Sequence, residues 1–203
     1  MTYSYNYDPE SEFQANNYTA LTTTSKWSDT TNSDPLSDIK TAQDKVEEKT
    51  GSRPTIAIIS RKTFNYLLSN SKIKSAILAQ NVSANIFMTD ALLKVFIKKL
   101  LGVSIIIYTK RYKDESGTTK SFYPDDMCTL VPDGALGSTW FGTTPEERSG
   151  AASGIQVSIV NTGIAIAVSR TTTAPLNTQT SASEIVLHSF ERMDECYVLK
   201  VSG

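Results

Sequence analysis

A glycine-rich stretch, TLVPDGALGSTWFGTTPEE (129–147), is the first candidate for chemistry in this sequence. Its glycines, Gly134, Gly137 and Gly142, could shape a loop whose backbone N–H groups cradle a phosphate. A P-loop needs a lysine directly after its last glycine, but here TTPEE follows, and its two acids repel a phosphate. We therefore predict turn residues, with TTPEE starting a short helix capped by Thr144.

A histidine and two adjacent acids are the next candidates. The sequence has one histidine, His188, and Ser189 beside it cannot complete a catalytic pair in a strand, because neighbouring side chains there point to opposite faces. No G-x-S-x-G elbow occurs either. Asp125 and Asp126 could form an acid pair or bind a metal, but adjacent acids after FYP are typical of a solvated turn. Both groups favour structural roles.

Three lysines and two cysteines complete the candidates. Lys94, Lys98 and Lys99 could bind phosphate, but their helical spacing favours water-facing charges. Cys128 and Cys196 lie far apart and follow no secretory signal, so we interpret them as small buried hydrophobes rather than a disulfide. Two cysteines and one histidine also fall short of a structural zinc site. The residues thus predict no catalytic site, no cofactor-binding site and no metal site.

The bulk composition predicts a packed, soluble protein. The 203 residues are 39% hydrophobic and 20% charged, which suits one sizeable domain or two small ones. The formal net charge of -1 gives no sign of a surface that binds polyanions. No apolar run approaches the roughly 20 residues that span a bilayer.

The first half of the chain is predicted to mix helices and strands. Asp34 caps a helix that Gly51 ends, and TIAIIS (55–60) is a buried strand. Helices follow from Ser60 and from Thr89, and then a strand over 103–110. Residues 1–33 are predicted to form an extended polar arm with little core of its own, ordered by pairing with a sheet edge.

The second half is predicted to be mostly β. KDESGTTK (113–120) is a hairpin turn, and strands follow at 126–132, 154–160, 163–169 and 195–201. Residues 170–184 are rich in threonine and are predicted to form a polar loop. The order of elements predicts an α+β fold rather than a doubly wound nucleotide binder.

Three segments follow one another in an order that carries information. KWSDTTNSDPLSDIKTAQDKVEEKTGSRPTIAIISRKTFNYLLSN contains a WSD–SDP–DI start to a helix, followed by a TG-x-x-P turn, a strand and an S-x-x-x-F-x-x-L helix. The other two are SFYPDDMCTLVPDGALGSTWFGTTPEE and the ending IVLHSFERMDECYVLKV. In this order the three segments resemble tailed-phage major capsid proteins of the Hong Kong 97-like superfamily. His188 stands where the family would have a proline. The resemblance runs from about Trp27 to the C-terminus.

The resemblance implies a Hong Kong 97-like phage capsid fold, consisting of the axial A-domain and part of the peripheral P-domain. Residues 34–121 would form mainly the A-domain, and residues 122–203 would return into the P-domain sheet, after the arm of 1–33. The family's N-arm, E-loop and spine helix would be missing before the first helix. Trp140 and Phe141 are expected to pack on the core or on a neighbouring subunit.

The function implied by the resemblance is that of a structural subunit in an icosahedral bacteriophage or prophage capsid that encloses double-stranded DNA, without catalysis or cofactors. Expected partners are other copies in pentamers and hexamers, a scaffold or portal protein, and DNA bound without sequence specificity. No membrane is involved. The location would be the virion, assembled in the bacterial cytoplasm. Alternatives are an encapsulin-like nanocompartment shell, another phage structural protein such as a tail or adaptor, or an enzyme whose pocket contains Asp125, Asp126 or His188.

Overall fold

The computed structural model describes residues 17–80, 88–145, 156–161, 164–171 and 177–202. These residues form four α-helices and twelve β-strands, with short 3-10 turns at Thr23–Ser25 and Met193–Glu195. The helices are α1 (Pro35–Thr50), α2 (Arg61–Ser69), α3 (Ser71–Gln80) and α4 (Asp90–Leu101). The strands are β1 (Tyr18–Ala20), β2 (Ile56–Ser60), β3 (Ser104–Tyr108), β4 (Arg111–Lys113), β5 (Thr119–Ser121), β6 (Met127–Val131), β7 (Gly137–Phe141), β8 (Gln156–Asn161), β9 (Ile164–Thr171), β10 (Asn177–Glu184), β11 (Val186–Phe190) and β12 (Tyr197–Lys200).

Local capping signals fix the helix ends, as the sequence predicts. The side chains of Asp34, Ser60 and Thr89 each accept a hydrogen bond from a backbone N–H in the first turn of the following helix. Gly51 and Gly102 end α1 and α4 with φ of 71° in both cases, a left-handed conformation that favours glycine.

The main sheet joins distant parts of the chain. Its strand order within the described residues is β1-β12-β6-β2-β3, and β2 and β3 are parallel because three helices connect them. All five residues of the central strand β6 are buried, so both faces of the sheet are covered there. The mixture of helices and sheet confirms the predicted α+β class.

The apolar faces of the helices and the strands of the main sheet form a continuous core. The helical spacing predicted for α1 is confirmed, since Ile39, Ala42 and Val46 are buried. Asn70, which is also buried, accepts the N–H groups of Lys72 and Ile73 at the start of α3. The largest fully buried side chains are Trp27, Tyr197, Phe64, Ile39, Ile59, Leu67, Ile73, Leu93, Ile97, Leu130, Gln43 and Val46.

The described part of the predicted arm belongs to this core. β1 pairs in parallel with β12 at the sheet edge, which confirms the predicted edge pairing of this segment. Trp27 of this segment is fully buried in the common core, and its indole N–H donates to Asp38 Oδ2 at 2.9 Å. Residues 1–16 lie outside the described residues.

The chain divides into two compact units, one from Met1–Gly134 and Met193–Gly203, the other from Ala135–Arg192. The first unit contains the helices, the main sheet and the β4–β5 hairpin, whose turn has Gly117 at φ 81° as predicted. The units divide the chain after residues 134 and 192, and the predicted axial and peripheral domains stay a prediction.

The second unit contains a three-stranded antiparallel sheet, β10-β9-β8, and a two-stranded ribbon, β11-β7, among its described residues. The predicted hairpin of β8 and β9 is confirmed by their antiparallel pairing. The predicted polar loop over 170–184 is wrong for residues 177–184, because they form β10, which pairs with β9 along its whole length. Residues 172–176 lie outside the described residues.

Candidate functional site

The glycine-rich stretch forms a turn and a strand. Gly134 has φ of 93°, and its N–H donates to the Asp133 carboxylate at 2.9 Å, so an acid stands where a phosphate would have to bind. Gly137 begins β7 at a point where the backbone of Ser189 passes so closely that a Cβ would overlap its carbonyl oxygen. The predicted turn is therefore confirmed at Gly134, but not at Gly137, which is a strand residue.

The end of this stretch does not form a phosphate cradle either. The Gly142 N–H donates to the Ile185 carbonyl at 2.9 Å and so continues the β7–β11 pairing. Thr144 is buried, and Pro145 directly after it is the first helical residue, as predicted for TTPEE; residues 146 and 147 lie outside the described residues.

His188 lies opposite Thr139 across the ribbon and is exposed. One ring nitrogen, Nδ1, is 3.1 Å from the Thr139 hydroxyl. Ser189 is opposite Ser138, one position further along each strand, and therefore faces the other side of the ribbon. The structure thus keeps His188 and Ser189 apart, as the strand periodicity predicts.

Asp125 and Asp126 occupy the turn before β6, and their backbone groups connect elements of the first unit. The Asp125 carbonyl accepts the Thr63 hydroxyl at 2.7 Å, and the Asp126 carbonyl accepts the Val201 N–H at 2.7 Å. The predicted turn is confirmed. Among the described residues, no group of three or more histidine, cysteine or acidic side chains could hold a metal.

The three lysines lie on α4, as predicted. The Lys94 Nζ is 5.9 Å from the centroid of the Phe64 ring, a cation–π distance, so its stem covers the core. Lys98 and Lys99 are exposed in the last turn, where a positive charge stabilises the helix dipole. This arrangement supports the structural interpretation.

Both cysteines are buried and form no disulfide, as predicted for small hydrophobes. Cys128 lies in β6 beside Leu199 of β12, and burial raises the pKa of its thiol to about 12. A thiol with so high a pKa stays protonated at neutral pH and is a poor nucleophile.

Two open hollows occur in the described part of the first unit. The larger, about 500 Å³, lies between α1 and α4 and is lined by two cationic side chains, Lys40 and Arg53, and by leucine side chains. Arg53 is already paired with Asp44 and Glu47. The smaller, about 410 Å³, is formed by residues 20–26 with Lys200 and Ser202. Neither hollow contains a histidine, cysteine or carboxylate that could act in general acid–base chemistry.

The ribbon of β7 and β11 has a different feature, a set of exposed apolar side chains. Trp140 is 62% exposed, Phe141 48%, Leu187 58% and Ile185 43%. Packing of Trp140 and Phe141 on the core of this chain is therefore wrong. Ile185 and Leu187 were not singled out by the sequence, although the apolar run IVL before His188 is a weak strand signal.

Two solved structures share this fold. A crystal structure of a phage-related protein from Bordetella bronchiseptica RB50 gives a TM-score of 0.61 at 15% identity and covers 94% of this chain and 58% of that chain. A crystal structure described as that of a prophage capsid protein from E. coli CFT073 gives a TM-score of 0.57 at 18% identity. The match covers 87% of this chain and 50% of that chain. This chain thus spans between half and three fifths of their lengths. At such low identity the likeness concerns the fold.

The sequence identifies the family. A sequence model of the phage major capsid protein E family matches residues 2–200, almost the whole chain. No curated protein matches the sequence. The chain belongs to the phage major capsid protein E family. The predicted resemblance to phage capsid proteins is confirmed. In the described residues, none of the helices is long and apolar enough to cross a membrane.

Proposed function

We propose that this protein is the repeating subunit of an icosahedral, Hong Kong 97-like capsid that encloses double-stranded DNA. The family match over residues 2–200 carries the proposal. The capsid-type fold and the three motif segments, in the order found in tailed-phage capsid proteins, support it.

In this proposal residues 34–121 form mainly the axial A-domain and residues 122–203 include the return into the peripheral domain, after an arm of residues 1–33. The helices α1 to α4 between the described strands supply the packed wall that an axial domain needs.

The subunit is proposed to act without catalysis. Several reactive residues that the sequence singles out have structural roles. The Cys128 thiol is buried in the sheet, and the backbone carbonyls of Asp125 and Asp126 accept hydrogen bonds from neighbouring elements. Neither of the two hollows described above is lined by a histidine, a cysteine or a carboxylate. A shell protein needs a stable core and complementary edges rather than an active site.

The proposed partners are other copies of this chain in pentamers and hexamers, a scaffold or portal protein, and packaged DNA. The formal net charge of -1 suits a shell that contains DNA without gripping it, because tight, salt-dependent DNA binding needs many phosphate contacts from Lys and Arg. Assembly would take place in the bacterial cytoplasm, and the product would be the virion.

Mass spectrometry of purified particles tests this function. DNA-filled particles from the phage or induced prophage that carries the gene should contain peptides of this sequence as the most abundant protein. Particles that contain DNA but none of these peptides, or only traces of them, would overturn the proposal. Peptides found in an enzyme-filled, DNA-free shell would instead identify a cellular nanocompartment.

A further inference from the structure

The β7–β11 ribbon places three large apolar side chains together on one face. The pairing sets Leu187 directly opposite Trp140, and the hydrogen bond from the Gly142 N–H to the Ile185 carbonyl continues the same register. Since side chains alternate along a strand, Ile185 and Leu187 share the face of Trp140. We name this surface the Trp140 face.

The Trp140 face is exposed in the single chain. Its three side chains have exposed fractions between 43% and 62%. The opposite face is not fully covered either, since Phe141 and His188 are also exposed there. A two-stranded ribbon with so little cover is marginally stable alone in water, so the ribbon would gain stability from a partner.

The ribbon also lacks the charges that normally protect an exposed edge. Residues 137–142 (GSTWFG) and 185–190 (IVLHSF) contain no Asp, Glu, Lys or Arg. Natural edge strands usually carry lysines or other charges, which prevent association with another chain. Because both strands lack these charges, nothing in them prevents association with another chain.

The lack of charged residues in the ribbon favours a protein over DNA as the partner that covers the Trp140 face. Packaged DNA presents phosphates, which require Lys or Arg, and even aromatic stacking on single strands relies on a positively charged groove. A neutral, apolar ribbon fits an apolar protein surface instead. In a particle built by self-assembly, the surface present at the highest local concentration is another copy of the same chain.

The size of the Trp140 face suits one part of a larger contact. Large apolar side chains expose on the order of 150–250 Å² when free, so the exposed fractions of Trp140, Leu187 and Ile185 amount to roughly 300 Å². A stable interface buries about 800 Å² on each partner. The face would therefore be the apolar centre of a contact whose polar rim comes from neighbouring residues.

We propose that the Trp140 face packs against a second copy of this chain in the assembled shell. The inference rests on the proposed function, because it takes the partner copy from capsid assembly. It goes further in assigning the contact to three named side chains of the second unit.

The two tryptophans make a direct test possible. Trp27 is fully buried and Trp140 is mostly exposed, so a water-soluble quencher should reach only Trp140 in the dispersed chain. The experiment measures acrylamide quenching of the gene product as encoded, with any sequence upstream of Met1, before and after assembly. The Trp140→Phe variant is measured in the same two states, and the difference between the proteins isolates the signal of Trp140.

The proposal expects the quenching of Trp140 to fall at least several-fold on assembly. Particles that form while Trp140 stays as quenchable as in the dispersed chain would overturn the inference and leave the proposed function intact. Protection of Trp140 already in the dispersed chain would also overturn it, because the chain itself would then cover the face. Failure to assemble under any condition would overturn the proposed function and the inference together.

A matched pair of variants gives a second readout. Leu187→Ser removes an exposed apolar side chain from the Trp140 face, and Val95→Ser removes a similarly exposed one from α4. Central apolar anchors dominate interfaces, so Leu187→Ser should lower the association constant by about 10-fold or more, whereas Val95→Ser should change it less than about twofold. Equal effects of the two variants, or normal assembly by Leu187→Ser, would count against the inference. Circular dichroism establishes that both variants are folded.

Discussion

Replacing Trp27 by alanine tests whether the segment before α1 belongs to the core of the first unit. The indole is fully buried and its N–H donates to the Asp38 carboxylate at 2.9 Å, although the surrounding sequence is polar. Large-to-small changes of a buried tryptophan cost about 3–5 kcal/mol, from the lost transfer free energy and the cavity left behind. Trp27→Phe should cost about 1.5–3 kcal/mol, because it loses a hydrogen bond to a charged group.

Urea unfolding measures these changes in free energy. The helices α1 to α4 lie in the first unit, so the loss of helical circular dichroism signal includes the unfolding of this unit. With a slope of about 2 kcal/mol per molar urea, Trp27→Ala should lower the unfolding midpoint by about 2 M. That loss is a large part of the 5–15 kcal/mol by which a typical domain is stable, so this single substitution can unfold a marginal domain.

The second tryptophan supplies the matched control. Trp140→Ala removes the same side chain from an exposed position and should change stability by no more than about 1 kcal/mol. Trp27→Ala with a cost below about 1 kcal/mol, or equal costs for the two variants, would refute the packing described for residues 17–33.

Two further predictions concern the charge of Asp38 and the close backbone approach at Gly137. Burial raises the pKa of Asp38 above its ordinary value of 3.8, with the Trp27 hydrogen bond opposing, so the folded state binds this proton more tightly and the carboxyl's contribution to stability falls as pH rises through the raised pKa. Asp38→Asn keeps an acceptor for Trp27 but has no carboxyl group to ionise. The urea midpoint of the variant should therefore rise relative to that of the wild type as pH rises from 3.8 towards neutrality. A difference between the two midpoints that falls over this pH range would contradict the prediction. Gly137→Ala should break the β7–β11 pairing, seen as faster amide exchange in β11, because the Cβ would overlap a backbone carbonyl, whereas Gly142→Ala meets only a movable Ile185 methyl and should be tolerated. Equal exchange in the two glycine variants would show that the close approach at Gly137 does not matter.

Local signals in the sequence were enough for α1, α2 and α4 of the first unit. Asp34, Ser60 and Thr89 cap their helices by reaching a backbone N–H within three residues, and Gly51 and Gly102 end helices through their own φ. Such contacts depend on neighbours in sequence, so a pattern can reveal them.

Pairings between distant segments could not be predicted in the same way. β10 consists of NTQTSASE, which lacks apolar alternation and is typical of a loop, and only its register with β9 makes it a strand. Gly137 is a turn signal in the sequence, but in the fold it makes room for the backbone of Ser189. Gln43 is fully buried because the carbonyls of Pro54 and Leu101 accept its amide, and neither partner is near it in sequence.

The candidate site shows the same limit. The sequence singles out reactive side chains, but the fold does not bring them together into a catalytic or metal site within the described residues. The apolar Trp140 face depends on the cross-strand pairing of residues 140 and 187, which are far apart in the chain. Exposure is a property of the folded surface, so Ile185 and Leu187 could not be distinguished from core residues by type alone.

Electron microscopy of the gene product as encoded, with any sequence upstream of Met1, tests the capsid assignment most directly. The proposed function predicts closed shells built from fivefold and sixfold capsomers. Monomers under every solution condition tested, for a gene product that is folded by circular dichroism, would contradict it.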